Sequence, residues 1–229
     1  MTNAASANTS HPWGWDFFTP QPHQDTDLLK QFSLIPGLKE FLMLRQVHAL
    51  EHATVWVLSE TAREPSQIPD TSKRPSAINP PQADNEALGG LNEALGGLST
   101  DQGFYLYGQV NPVHLQRAVR LALGRFQAGE WDLAVHPRCG TNVSVALMLA
   151  AGMSLGTHLL LPRGPLEQLL GLGLATTTAT QLAPDLGKVA QKYLTTSIPF
   201  NLKLVDILET SDFWGNPAHF VLVRWSALQ

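Results

Sequence analysis

Residues 141–161 read TNVSVALMLAAGMSLGTHLLL, 21 consecutive positions without Asp, Glu, Lys or Arg. No other stretch restricts the fold so strongly. A helix of this length matches the roughly 20 residues that cross a ~30 Å hydrocarbon layer. His158 is its one readily ionised side chain. Pro162-Arg163-Gly164-Pro165 then breaks the chain, and a second apolar run, LEQLLGLGLATTTATQLA, fills 166–183. Glu167 and Gln168 open that run and threonines dilute it, while its Gly and Thr content suits close helix–helix packing. Together the runs predict a two-helix transmembrane hairpin over 141–183. The alternative is a buried helical hairpin in a soluble interaction module. Arg138 precedes the hairpin, Lys188 and Lys192 follow it, and its turn carries only Arg163. The positive-inside bias therefore puts both flanking parts on the cytoplasmic side of an integral membrane protein.

The remainder of the 229 residues suits one small domain with additions. Net charge is −4 and charged residues make up 15%, with no basic run. Nothing in this balance would draw the chain to nucleic acid. Cys139 is the only cysteine, which excludes an intramolecular disulfide. The N-terminus has no basic segment followed by an apolar one, so no signal peptide is expected.

Residues 1–25 read as a disordered tail, although Trp13, Trp15, Phe17 and Phe18 could dock. A short helix is expected over 26–34, stopping before Pro36. Gly37 to Ala62 has helical periodicity and neither Pro nor internal Gly. Residues 63–98 hold a Pro-rich loop and then a tandem NEALGGL at 85–98, read as a slippage duplication carried in a surface loop. GFYLYGQV at 103–110 predicts a strand. Asn111 and Pro112 are an N-cap and first helical position for a helix ending near Gly129. WDLAVHP at 131–137 predicts a second strand. Two alternating runs between Ile198 and Trp225, separated by Gly215-Asn216-Pro217, predict neighbouring strands or a β-hairpin. The expected fold is α+β: a small mixed part over 26–140, the hairpin, and a helix end with strands over 184–229.

Two segments carry chemistry. In His48-Ala49-Leu50-Glu51-His52 the histidines lie one helical turn apart, so both imidazoles can reach one ion. This is the H-x-x-E-H arrangement of inverted zinc proteases. Glu51 is placed as general base, as a ligand, or as the partner that orients an imidazole. The second segment is His136-Pro137-Arg138-Cys139-Gly140-Thr141-Asn142, where a turn through Pro137 and Gly140 lets His136 and Cys139 converge. A Cys thiolate favours zinc among divalent metals. The expected site is His48, His52, His136 and Cys139 on metal, with Glu51 catalytic. Inverted zinc proteases take a later glutamate as third ligand, and Glu130 is at a suitable separation. Cys139 acting as a nucleophile with His136 or His52 as base is the competing chemistry. His11, His23, His114 and His219 have no partner at ligand spacing and read as structural or surface residues.

HALEHATVWVL, GGLSTDQGFYLYG and HPRCGTN leading into LLLPRGPLEQLLGLGLA resemble an uncharacterised protein family found mainly in cyanobacteria. The resemblance covers roughly 38–225, apart from the Pro-rich loop and the duplicated heptad, which departs from the family's single GGL-type approach to the strand. More distantly, HALEHA with HPRCGT is similar to a bacterial family described as predicted metal-dependent membrane enzymes. The resemblance implies a place in the plasma or thylakoid membrane and a metal role for His48, Glu51, His52, His136 and Cys139. Two functions follow as expectations: a zinc-dependent hydrolase of peptidase type, or a non-enzymatic membrane protein with a structural metal.

Overall fold

A computed structural model describes residues 20–63, 95–160 and 164–226. The expectations for the tail up to residue 19, the Pro-rich loop and the first heptad copy lie outside these residues. The centre of the molecule is helix α2 (Leu38–Arg63). Its buried positions include Val47, Leu50, Ala53, Val55 and Val57, which do not fall on one stripe. A helix apolar on all sides must be enclosed. Helix α3 (Pro112–Gln127) covers one side with Leu115, Ala118, Val119, Ala122 and Phe126, the i, i+3, i+4, i+7 spacing of a single packed face. Asn111 caps this helix by accepting a 2.9 Å bond from the Val113 N–H.

A four-stranded antiparallel sheet covers another side, in the order β1 (Gly96–Ser99), β2 (Gly103–Tyr107), β4 (Pro217–Trp225), β3 (Leu202–Ser211). Phe104 and Leu106 of β2 and Val221 and Val223 of β4 point into the core shared with α2. The β3–β4 hairpin turns at Asp212, whose carboxylate accepts from the Trp214 and Asn216 backbone N–H groups. Gly215 supplies the positive φ of 85° that this turn requires.

The chain then extends beyond this domain. Helix α4 (Gly140–Leu160) and helix α5 (Pro165–Ala190) run antiparallel: Gln191, at the end of α5, bonds Asn142 at the start of α4, and His158 bonds Gln168 at the far end. Helix α5 buries Gly171, Ala175, Ala179, Ala183 and Gly187, a small residue at every fourth position. This stripe lets two backbones approach closely. At its base a Cβ on Gly187 would overlap the Asn142 side chain, so no larger residue fits there without displacing it.

Four expectations are corrected. Of the described helices only α4 is long and apolar enough to cross a membrane, so the two-helix transmembrane hairpin is not found. Helix α5 keeps the pairing but carries Glu167, Asp185 and Lys188. Residues 131–137 form no strand: Trp131–Ala134 is a 3₁₀ turn that buries Leu133 and Ala134, followed by extended chain. A short apolar run does not distinguish these by periodicity. The end of the duplicated heptad, Gly96-Gly97-Leu98, is strand β1 rather than loop. The short helix α1 is Gln24–Gln31, and Asp25 within it is buried, bonded by Gln46 Nε2 at 2.5 Å and Ser197 Oγ at 2.9 Å. Docked structure therefore begins before the expected tail boundary.

Candidate metal centre

The helical spacing of His48 and His52 places both rings on the side of α2 that faces the 136–141 loop, with centroids 4.4 Å apart. Each ring is fixed by its Nδ1. His48 Nδ1 lies 3.1 Å from the Thr195 carbonyl oxygen, and His52 Nδ1 lies 2.6 Å from the Ala134 carbonyl oxygen. A carbonyl only accepts, so both Nδ1 atoms carry the proton and donate. In the neutral ring Nε2 is then left with its lone pair, which is how a ligating histidine is normally held.

Cys139 completes the group. It sits immediately before α4, whose Thr141 N–H points at the sulfur from 3.3 Å, with Thr141 Oγ1 also at 3.3 Å. His48 Nε2 is 3.3 Å from the sulfur. Burial pushes the thiol pKa up, but hydrogen bonding and charge from His52, with the bonds from Thr141, outweigh it and hold the thiol below its ordinary value. One ligating atom from each of His48, His52 and Cys139 falls within 4.8 Å of the others. Two imidazoles and a thiol whose pKa is lowered, with ligating atoms this close, form a donor set that suits zinc.

His136 stands beside this group rather than in it. Its ring packs 5.0 Å from Trp56 and 5.7 Å from His52. Its Nδ1 accepts the Arg138 N–H at 3.3 Å, so the neutral ring carries its proton on Nε2 and has no free lone pair. Burial, then the His52 and Arg138 charges, push its pKa down to about 4. Glu130, the alternative third ligand, is held by Arg125 at 2.6 Å in an exposed ion pair.

Glu51 is buried, and its carboxyl accepts from the Ser99 hydroxyl. Burial raises its pKa above the usual carboxylate range; the Ser99 bond and the charge of His48 oppose that shift. Gly97 explains how β1 reaches the site, because a Cβ there would overlap the Glu51 carboxylate. Gly97, in the second heptad copy, and Ser99, just after it, thus both pack against the Glu51 carboxyl. Glu51, His48, His52, Cys139 and His136 line one cavity of about 470 Å³.

Several contributors have no motif in the sequence. Helix α5 ends in a π turn, Gln191–Thr195, and this turn presents the Thr195 carbonyl to His48. Single π turns recur at functional sites because they re-aim one carbonyl. Arg45 holds the turn by donating to the Tyr193 and Thr196 carbonyls at 3.2 and 2.8 Å. Gln191, fully buried, accepts the His136 N–H at 2.8 Å and donates to Asn142 at 2.8 Å, tying loop, α4 and α5 together.

The model of a family described as a domain of unknown function (DUF6391) matches residues 43–207. The chain is also similar to an uncharacterized protein of a Picosynechococcus species, 48% identical over 223 residues that cover 96% of this chain and 100% of that relative. No solved structure matches it. The chain belongs to the DUF6391 family.

Proposed function

We propose that this DUF6391 member is a membrane-anchored, metal-dependent hydrolase in which His48, His52 and Cys139 hold a zinc ion and Glu51 moves the proton. The observation that carries the reading is the pair of Nδ1 tethers. Backbone carbonyls fix both imidazoles with Nε2 turned toward a thiol whose pKa is held below its ordinary value. The similarity of HALEHA and HPRCGT to bacterial predicted metal-dependent membrane enzymes points the same way.

A divalent cation held there supplies Lewis acidity to a carbonyl oxygen and lowers the pKa of water. Glu51 does the rest. Its carboxylate takes the proton of the water that adds to the carbonyl carbon. Its raised pKa favours keeping that proton until the C–O or C–N bond breaks and the leaving group takes it. Ser99 holds the carboxylate against the Gly97 wall. Three protein ligands leave a position open, as catalytic zinc sites require and structural ones do not. That favours catalysis over the structural-metal reading.

The membrane part rests on α4. None of its 21 residues is buried, and Val143, Leu147, Met148, Leu155 and Leu159 face outward. At ~1.5 Å per residue the helix is about as long as the hydrocarbon layer is thick. Arg138 at its start keeps the catalytic domain on the cytoplasmic side of the plasma or thylakoid membrane.

The test is metal analysis of purified protein. About one zinc per chain is expected in the wild type, with loss in His52→Ala and Cys139→Ala. Glu51→Gln should keep the metal and lose hydrolysis of an acyl ester or peptide probe. A metal-free wild type overturns the centre. Full activity in Glu51→Gln overturns the role of Glu51 and leaves the structural-metal reading.

A second reading has one observation in its favour: the 3.3 Å approach of Cys139 Sγ to His48 Nε2 is that of a nucleophile and its base. Activity that survives chelation but not Cys139→Ser would select it.

A further inference from the structure

We infer that the cavity takes the acyl chain of a membrane amphiphile, with the hydrolysable carbonyl at its polar end. This rests on the hydrolase reading and adds the substrate class. The cavity lining changes chemistry along its length. Phe41 and Leu44 share the face of α2 that carries His48, Glu51 and His52, one to two turns before them, and Leu98 of β1 and Leu194 of the π turn add apolar surface, while Cys139 joins the polar end. At about 470 Å³ it lies within the range of small-molecule sites, ~300–1,000 Å³.

Its position indicates where such a molecule enters. Both ends of the α4–α5 pair line the cavity: Cys139, Gly140 and Thr141 where α4 begins, and Leu194 and Thr195 just after α5 ends. The cavity therefore lies at the base of the one described helix long and apolar enough to cross a membrane. The rim continues the apolar surface. Phe41, Leu44 and Leu194 are themselves exposed, and the α1–α2 corner just before them exposes Phe32, Leu34 and Ile35, with Leu34 96% exposed. Arg45, which also lines the cavity, bonds the Tyr193 carbonyl in the π turn and the Thr196 carbonyl just after it, and so fixes α2 to the base of α5. An exposed apolar rim in water is a liability, whereas at a lipid interface it is a docking surface. A chain can then pass from lipid into the cavity while its carbonyl meets the polar end. A water-borne peptide gains nothing from this continuity.

The protein, reconstituted in phosphatidylcholine vesicles, is photolabelled with a palmitoyl ester carrying a terminal diazirine, and the labelled residues are mapped by mass spectrometry. Labels are expected within 41–44, at Leu98 and at Leu194. Leu44→Trp and Leu98→Trp narrow the apolar end. Each should cut cavity labelling about tenfold, the loss of two methylenes' contact, while labelling of the outward face of α4 stays unchanged. Cavity labelling equal in both variants, labels confined to α4 and α5, or stronger cavity labelling by an apolar peptide bearing the same diazirine overturns the inference. Zinc is measured in the same samples. Metal with an unlabelled cavity removes the amphiphile and leaves the metal centre. Labelling without metal does the reverse.

Discussion

Helices α2 and α5 are each 26 residues long, and they are buried in opposite ways. From residue 46 to 59 helix α2 meets neighbours on nearly every side and buries Val47, Leu50, Val55 and Val57. Helix α5 buries only Gly and Ala, while Leu166, Leu169, Leu170, Leu172 and Leu174 face outward. The first is how a helix behaves at the centre of a core formed in water. The second is small-residue packing, in which two helix backbones approach closely and the large side chains stay outside the contact. Even the exposed threonines of α5 fit. Thr176, Thr177 and Thr178 each donate to the carbonyl four residues back, so they need no water. The candidate site lies where these two regimes meet: His48, Glu51 and His52 come from the first, and Cys139 and Thr195 from the ends of the second.

The largest effect should come from reversing the second regime. Leu147→Lys with Leu155→Lys puts two charges on the outward face of α4. At a helix centre in lipid each costs about 2.5–3.5 kcal/mol, enough to remove the protein from the membrane fraction after carbonate washing. Val205→Lys, on the exposed face of β3, should change stability by no more than about 0.5 kcal/mol. Retention of the double variant in the membrane fraction would break the comparison at its root.

Next in size is a cavity in the first regime. Leu50 is fully buried in α2, and Leu50→Ala should cost about 2–5 kcal/mol in denaturant unfolding. Leu182→Ala, on the half-exposed face of α5, removes the same atoms where little packs against them and should cost under about 1 kcal/mol in detergent. Similar losses at both positions would mean that the outward face of α5 is packed after all.

The same contrast explains which parts of the structure were legible in the sequence. Helical periodicity and the four-residue spacing placed His48 and His52 together. The HPRC turn identified Cys139 locally. The apolar length of 141–161 identified α4. The partners that orient the histidines left no trace, because Thr195 and Ala134 act through backbone carbonyls that any residue would supply. Their positions depend on a π turn and a 3₁₀ turn, each too short to carry a period. Gly97 was hidden differently: a residue repeated in tandem reads as dispensable, and only the close approach to Glu51 shows that one copy must carry Gly. His136 looked like a ligand from spacing alone. The hydrogen bond from the Arg138 N–H, which occupies its lone pair, is visible only in three dimensions.

Gly97→Ala tests that close approach. The added methyl must displace the Glu51 carboxylate or β1, and strain of this kind costs about 1–3 kcal/mol. Zinc content should hold, since no ligand moves, while hydrolysis falls with the misplaced Glu51. Equal loss of metal and activity would place Glu51 among the ligands instead.

The smallest expected effect concerns the junction itself. In metal-stripped protein, thiolate absorbance should show Cys139 ionising below the ordinary cysteine value, because His52 and Thr141 favour the charged form more than burial opposes it. Thr141→Val removes the hydroxyl and keeps the N–H that faces the sulfur. A hydrogen-bond donor facing a charged sulfur stabilises that charge. The midpoint should therefore rise. The direction follows from which form is stabilised: removing a donor to the thiolate makes the proton harder to lose. A midpoint that does not move would assign the low pKa to His52 and the start of α4, and would leave Thr141 as a cap of that helix alone.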